Sequence, residues 1–179
     1  MEKLHDGRIV AMNEFKLKTA FFCLFTALVE PAMAQTLQIE CGPSEGKNFV
    51  AEGGIISPGN GGWGEDRISE GQTIFELNLD TFEASYQYKD SSGIWYDPVK
   101  EHGSVLSVVG MDLLNEGSVQ FMIWHKNDDL TVSTVEVITI LGLGGEQPIS
   151  IMSANRHGFI YSGKVLTADC KASMKPASE

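Results

Sequence analysis

The chain has 179 residues, 42% of them hydrophobic, with 24 acidic against 13 basic side chains and a net charge of −11. That length and composition specify one folded domain with its own core rather than a fibrous or disordered chain. The acidic balance, with Lys and Arg scattered singly, excludes nucleic-acid binding and adhesion to anionic membrane surfaces.

The first 34 residues read as a signal peptide. Lys16 and Lys18 form a positive start, Thr19–Val29 is an apolar run, and Pro31 breaks it. Ala32-Met33-Ala34 is then the small-x-small pattern of a cleavage site, so the mature chain begins at Gln35. The run falls short of the roughly 20 residues that span a bilayer, so no membrane span is expected. Residues 1–11 fit a signal start poorly, and Met12 is the better one. Cys23 follows Phe22 rather than a small residue, which argues against a lipid anchor. Residues 35–170 remain as a single β domain, with 171–179 as a polar, flexible tail. Loss of residues 1–34 leaves the net charge unchanged.

The mature chain keeps two of the three cysteines, Cys41 and Cys170. In an oxidising compartment two such cysteines pair, here closing nearly the whole domain. No CxxC is present, so neither a redox nor a zinc site is expected.

No segment holds a 3.6-residue period; period-two alternation recurs instead. Thr36–Cys41 reads as a strand, Asn48–Ile56 as a second, and Ser57–Gly71 as a Gly-rich loop. Phe75, Leu77 and Leu79 alternate with Glu76 and Asn78; Phe82, Ala84, Tyr86 and Tyr88 alternate with Glu83, Ser85 and Gln87. The two runs, joined at Asp80-Thr81, form a hairpin. Val105–Val109 is a short buried run, and Val119, Phe121 and Ile123 mark another strand. A turn at Asn127–Asp129 leads into the β-branched stretch Leu130–Leu141, whose alternation slips at Glu136 as a bulge would make it. Strands over Ile149–Met152 and Phe159–Cys170 complete the chain. The sum is an all-β, antiparallel meander of about eight or nine strands. An up-and-down, calycin-like barrel is favoured over a two-sheet sandwich, because a bond between first and last strands suits closure.

Motifs with chemistry are few. Gly59–Gly64 matches G-x-G-x-x-G, but Pro58 precedes it and no helical pattern follows, so it reads as a loop and not as a phosphate cradle. Glu65-Asp66 and Asp128-Asp129 lack calcium-loop spacing and read as solvated turn residues. His102, His125 and His157 stand alone, and G-x-S-x-G is absent. No catalytic residue, metal ligand or cofactor is assigned. Trp63, Trp95 and Trp124, with Tyr86, Tyr88, Tyr96 and Tyr161, are the aromatic set that would line a pocket in a hollow barrel. In a filled barrel the same side chains are simply core.

Three resemblances add to this reading. Cys41-Gly42, Glu52-Gly53-Gly54, Gly62-Trp63, Asp66–Gln72 (DRISEGQ) and the closing Cys170 resemble an uncharacterised group of small secreted bacterial all-β proteins. That resemblance implies secretion, to the periplasm or the exterior, and a β fold. Gly61-Gly62-Trp63 is similar to the lipocalin G-x-W signature, which implies a ligand-binding barrel, although lipocalins place it in their first strand. Ser92-Gly93-Ile94-Trp95-Tyr96 is similar to the S-G-x-x-Y loop of periplasmic inhibitors of c-type lysozyme, which implies a partner-presenting loop carrying Ser92 and Tyr96. The inhibitors' second motif has no counterpart.

The sequence therefore predicts a non-enzymatic exported binding protein for a small apolar ligand or a protein. Trp63, Ser92, Trp95, Tyr96 and Trp124 are its candidate contacts. A lysozyme-inhibitor-like module and an enzyme of unknown class are the alternatives.

Overall fold

The computed structural model describes residues 35–53, 55–114, 117–126, 133–158 and 160–176. Residues 1–34, read as a signal peptide, the turn at 127–129 with its Asp pair, and residues 177–179 lie outside them. In chain order the strands are β1 (Gln35–Cys41), β2 (Ser44–Val50), β3 (Gly62–Ile68), β4 (Gln72–Asn78), β5 (Ala84–Lys89) and β6 (Trp95–Tyr96). A five-residue helix, α1 (Pro98–His102), follows. Then come β7 (Val105–Asp112), β8 (Ser118–Lys126), β9 (Ser133–Leu141), β10 (Ile149–His157) and β11 (Ser162–Pro176).

The fold is all-β and antiparallel, one sheet curled into a half-barrel. Its order is β6-β5-β4-β1-β11-β10-β9-β8-β7, with β2 and β3 branching from β11. From β7 to β11 the strands follow the expected meander. The first half departs from it, because β1 lies between β4 and β11. β11 causes this. Its first half pairs with β10 on one side and β2 on the other, and its second half pairs with β1. Cys41 faces Cys170 and Glu45 faces Thr167, so three residues around Gly42-Pro43 oppose two on β11. That extra residue bends the sheet, since a bulge raises local twist.

The Cys41–Cys170 disulfide is formed, between residues 129 apart in sequence that sit opposite each other on the first and last strands. Residues 171–176 are strand, not tail. Unpaired, this polar stretch has no reason to order; here β1 supplies its ladder, pairing Lys171 with Glu40 through to Pro176 with Gln35.

Other expectations shift too. The stretch read as a Gly-rich loop contains β3, and Trp63 lies on that strand against β2. Val105–Val109 belongs to an edge strand, with Val105 and Val109 exposed, because β7 pairs with β8 alone. The bulge lies in β7, between Val108 and Gly110, and not at Glu136. β9 keeps unbroken register with both neighbours. The slip in alternation arises because Glu136 takes an inward position that hydrophobicity alone would have given to an aliphatic residue.

Period two fixes which side chains face the concave side: Val119, Phe121 and Ile123 on β8, Ile138 and Ile140 on β9, Phe75 and Leu77 on β4, Leu37 and Ile39 on β1, Leu166 on β11. All are buried, each contributing about 1.5–3 kcal/mol by leaving water. β4 and β8 are far apart in the sheet, yet Phe75 and Phe121 stack at 4.6 Å. That contact folds the sheet onto itself, and β5 comes within 8 Å of β7. One end of the half-barrel is therefore filled.

Candidate functional site

The site arises from a change of character along the inward face. Phe121, Ile138, Met152, Leu166 and Gly46 are successive neighbours across β8, β9, β10, β11 and β2. One step toward the rim the same strands present Ile123, Glu136, Ala154, Lys164 and Asn48. The next step presents His125, Thr134, Arg156, Ser162 and Val50. An apolar row thus gives way to two rows that are mostly polar. Above it opens a cavity of about 610 Å³, walled also by Asp66, Tyr88, His102, Ser104 and Ile160. A smaller recess of about 210 Å³ shares Tyr88, His125, Glu136 and Lys164 with it and reaches down to Tyr86, Met152 and Leu166.

His125 is the organising group on one wall. Its Nδ1 lies 3.3 Å from Ser104 Oγ, and its Nε2 lies 3.2 Å from Glu136 Oε2. The second contact is close, but its geometry is not that of a hydrogen bond. Ser104 is buried and set in place by α1. Asp97 caps that helix through a bond from Lys100 N at 3.1 Å, and Asp97 N donates to Glu101 Oε1 at 3.0 Å. Gly103 ends the helix at φ 62°, a left-handed turn that glycine adopts without strain, and Ser104 N returns to Pro98 O. Burial disfavours the Asp97 carboxylate, but the bonds from the Lys100 side chain and backbone outweigh it and lower its pKa.

Tyr86 and Tyr88 extend the aromatic stack from the core toward the cavity: Phe75 to Tyr86 at 4.9 Å, Tyr86 to Tyr88 at 5.9 Å, Tyr88 to Tyr96 at 5.3 Å. Burial, reinforced by the Glu136 charge, pushes the pKa of both Tyr86 and Tyr88 up. Both phenols stay protonated and remain hydrogen-bond donors at neutral pH.

Arg156 follows on β10, opposite Thr134 and diagonal to Glu136, and Lys164 lies one strand further on β11. Lys47 pairs with Glu65 and Lys100 with Asp97. Among the described residues, neither Lys164 nor Arg156 has a carboxylate within 4.0 Å.

Of the aromatic set read from sequence, Tyr88 lines the cavity and Tyr86 the recess below it, while the tryptophans lie elsewhere. Trp63 (69% exposed), Trp95 (41%) and Trp124 (50%) turn away from the concave face. Trp63 packs on Phe49 at 5.3 Å, and Trp124 sits between Val105 and Val135 in the outward row. Tyr96 joins the aromatic stack. Ser92 lies in the exposed β5–β6 turn, where its Oγ and N both bond Asp90 Oδ1, at 2.6 and 2.8 Å. In the linear sequence Arg156 and Lys164 carry no site signal, Glu136 shows only as a slip in alternation, and His125 only as an isolated histidine. The available signal was a polar residue at an inward-phase position of an alternating strand.

No protein-family model matches the chain, and neither the curated proteins nor the solved structures hold a significant match to it. Among the described residues no helix is long and apolar enough to cross a membrane. No three metal-ligating side chains converge there either.

Proposed function

We propose that this chain is an exported, non-catalytic binding protein whose site is the cavity at the open end of the half-barrel. The leader pattern of residues 1–34 and the Cys41–Cys170 bond support export. The observation that carries the binding reading is the change of the inward face from an apolar row to two mostly polar rows across five neighbouring strands. A core built for stability alone continues its aliphatic rows, because buried polar groups cost free energy unless partnered. The polar lining of the larger cavity directs the reading to a polar ligand.

A screen of several hundred small polar compounds by amide chemical-shift mapping tests this. Hits are expected to move amides around His125, Glu136, Arg156 and Lys164. Hits that scatter over the convex face, or an absence of hits at the cavity, would remove the cavity from consideration.

A second reading draws on the Ser104–His125–Glu136 chain, a hydroxyl, an imidazole and a carboxylate in contact, which is the material of general acid–base catalysis. Turnover of activated esters that is lost in His125→Gln would replace the first reading by this one.

A further inference from the structure

The polar groups around the cavity carry both signs of charge, and they interleave. Across β9, β10 and β11, Glu136 faces Ala154, which faces Lys164; in the next rank Thr134 faces Arg156, which faces Ser162. Arg156 is therefore diagonal to Glu136 as well as to Lys164. Asp66 brings a second carboxylate to the wall from β3. Among the described residues, no ion pair within 4.0 Å joins Asp66 or Glu136 to Arg156 or Lys164. Asp66, Glu136 and Lys164 are half-buried, and Arg156 stands exposed at the rim.

This arrangement narrows the ligand by what it disfavours. The formal charges of the two carboxylates and the two cations cancel, so a net anion or cation gains little from them. A zwitterion needs one sign grouped apart from the other, and interleaving withholds that. Half-buried charged groups still need hydrogen bonds to replace lost water. The ligand must therefore give donors to Asp66 and Glu136 and acceptors to Lys164 and Arg156. A hydroxyl gives both from one atom, so a ring carrying several meets either sign in whatever order the register presents it. Tyr88 adds a phenol donor, since burial and then the Glu136 charge raise its pKa and keep it protonated. Between Glu136 and Lys164 only the Ala154 methyl intervenes, and Val50 and Ile160 offer further apolar contact for ring C–H groups. The cavity of about 610 Å³ has the size of a small-molecule site.

Resting on the cavity as the binding site, we infer that its ligand is a neutral carbohydrate, a mono- or disaccharide. Its hydroxyls donate to Asp66 and Glu136 and accept from Lys164 and Arg156.

The test uses oxidised protein recovered after expression of the full chain and read by amide shifts. It is titrated with D-glucose, D-mannose, D-galactose, N-acetyl-D-glucosamine, maltose, lactose and cellobiose, and with cyclohexanol, glycylglycine and D-glucuronate for comparison. At least one neutral sugar is expected to move Glu136, Ala154, Arg156 and Lys164 saturably, with an affinity that changes less than about twofold between about 0.02 and 0.5 M salt. Cyclohexanol, with a single hydroxyl, and glycylglycine, a zwitterion, bind at least about tenfold more weakly than that sugar, and D-glucuronate binds no tighter than D-glucose. Asp66→Ala and Lys164→Met each cost about tenfold, since each removes a charge-assisted bond of opposite kind. Should a variant unfold, the ligand ranking and the salt series on the native protein decide. If a comparison compound outbinds every neutral sugar, if the affinity falls tenfold with salt, or if either folded variant binds unchanged, the carbohydrate class is overturned while the cavity stands as the site. If no sugar shifts the cavity amides, or sugars shift only those beside Trp63 and Phe49, the class is likewise overturned, and the broader compound screen decides separately whether the cavity binds anything.

Discussion

The two ends of the same concave face obey different rules. At the closed end, Phe75, Phe121, Ile138, Ile140 and Leu166 interlock and leave water together. At the open end the same strands carry Glu136, Lys164 and Arg156, with Ala154 holding the floor low. The closed end follows from the requirement to fold. The open end does not, and an arrangement that folding does not require points to a task. The comparison also separates the measurements: substitutions at the closed end should be read in stability, and substitutions at the open end in binding.

The largest expected loss comes from the staple that joins the first and last strands. Cys41→Ala with Cys170→Ala should lower unfolding free energy by up to about 5 kcal/mol, the chain-entropy value for so long a loop. Urea denaturation of the oxidised protein and the variant measures it; a loss below 1 kcal/mol would mean that the ladders alone define the fold. Phe121→Ala should cost about 3–5 kcal/mol, because its stacked partner Phe75 is fixed on a distant strand and cannot close the void. Asp97→Ala should cost about 1 kcal/mol through loss of the α1 cap. Because the folded pKa of Asp97 is depressed, its contribution is present above the unfolded value near 4 and disappears as pH falls through the folded one. At the open end, Lys164→Met should change stability by no more than about 0.5 kcal/mol, or raise it, as residues held for function do. A loss of 2 kcal/mol there would make Lys164 part of the core and dissolve the contrast.

Tyr86 stands on the boundary between the ends and tests it by pH. Its folded pKa is raised by burial, then by Glu136 and Tyr88. The unfolded chain therefore loses the Tyr86 proton first, and stability falls as pH rises beyond about 10. Tyr86→Phe should flatten that alkaline limb in melting curves between pH 9 and 11.5.

What could be read in advance follows from which patterns are local. Phe75/Leu77 and Phe121/Ile123 announce their strands because alternation is a neighbour-to-neighbour property. The cysteines announced the meeting of chain ends. The site was illegible for the opposite reason: each strand contributes one or two residues, from Asn48 to Lys164, and only the register aligns them. The one trace was the interrupted pattern at Glu136, and it looks the same whether a bulge or an inward carboxylate causes it. The tryptophans do not line the cavity: size suggests burial, whereas a one-sided sheet has an outer face that accepts large rings.

The last strand carries a consequence for timing. β11 is the common neighbour of β1, β2 and β10, and it comes last in the chain among the described strands. Until it emerges, strands made at the start of synthesis have no one to pair with along that edge. The half-barrel therefore assembles only once β11 has been made, and pairings so distant in sequence form slowly.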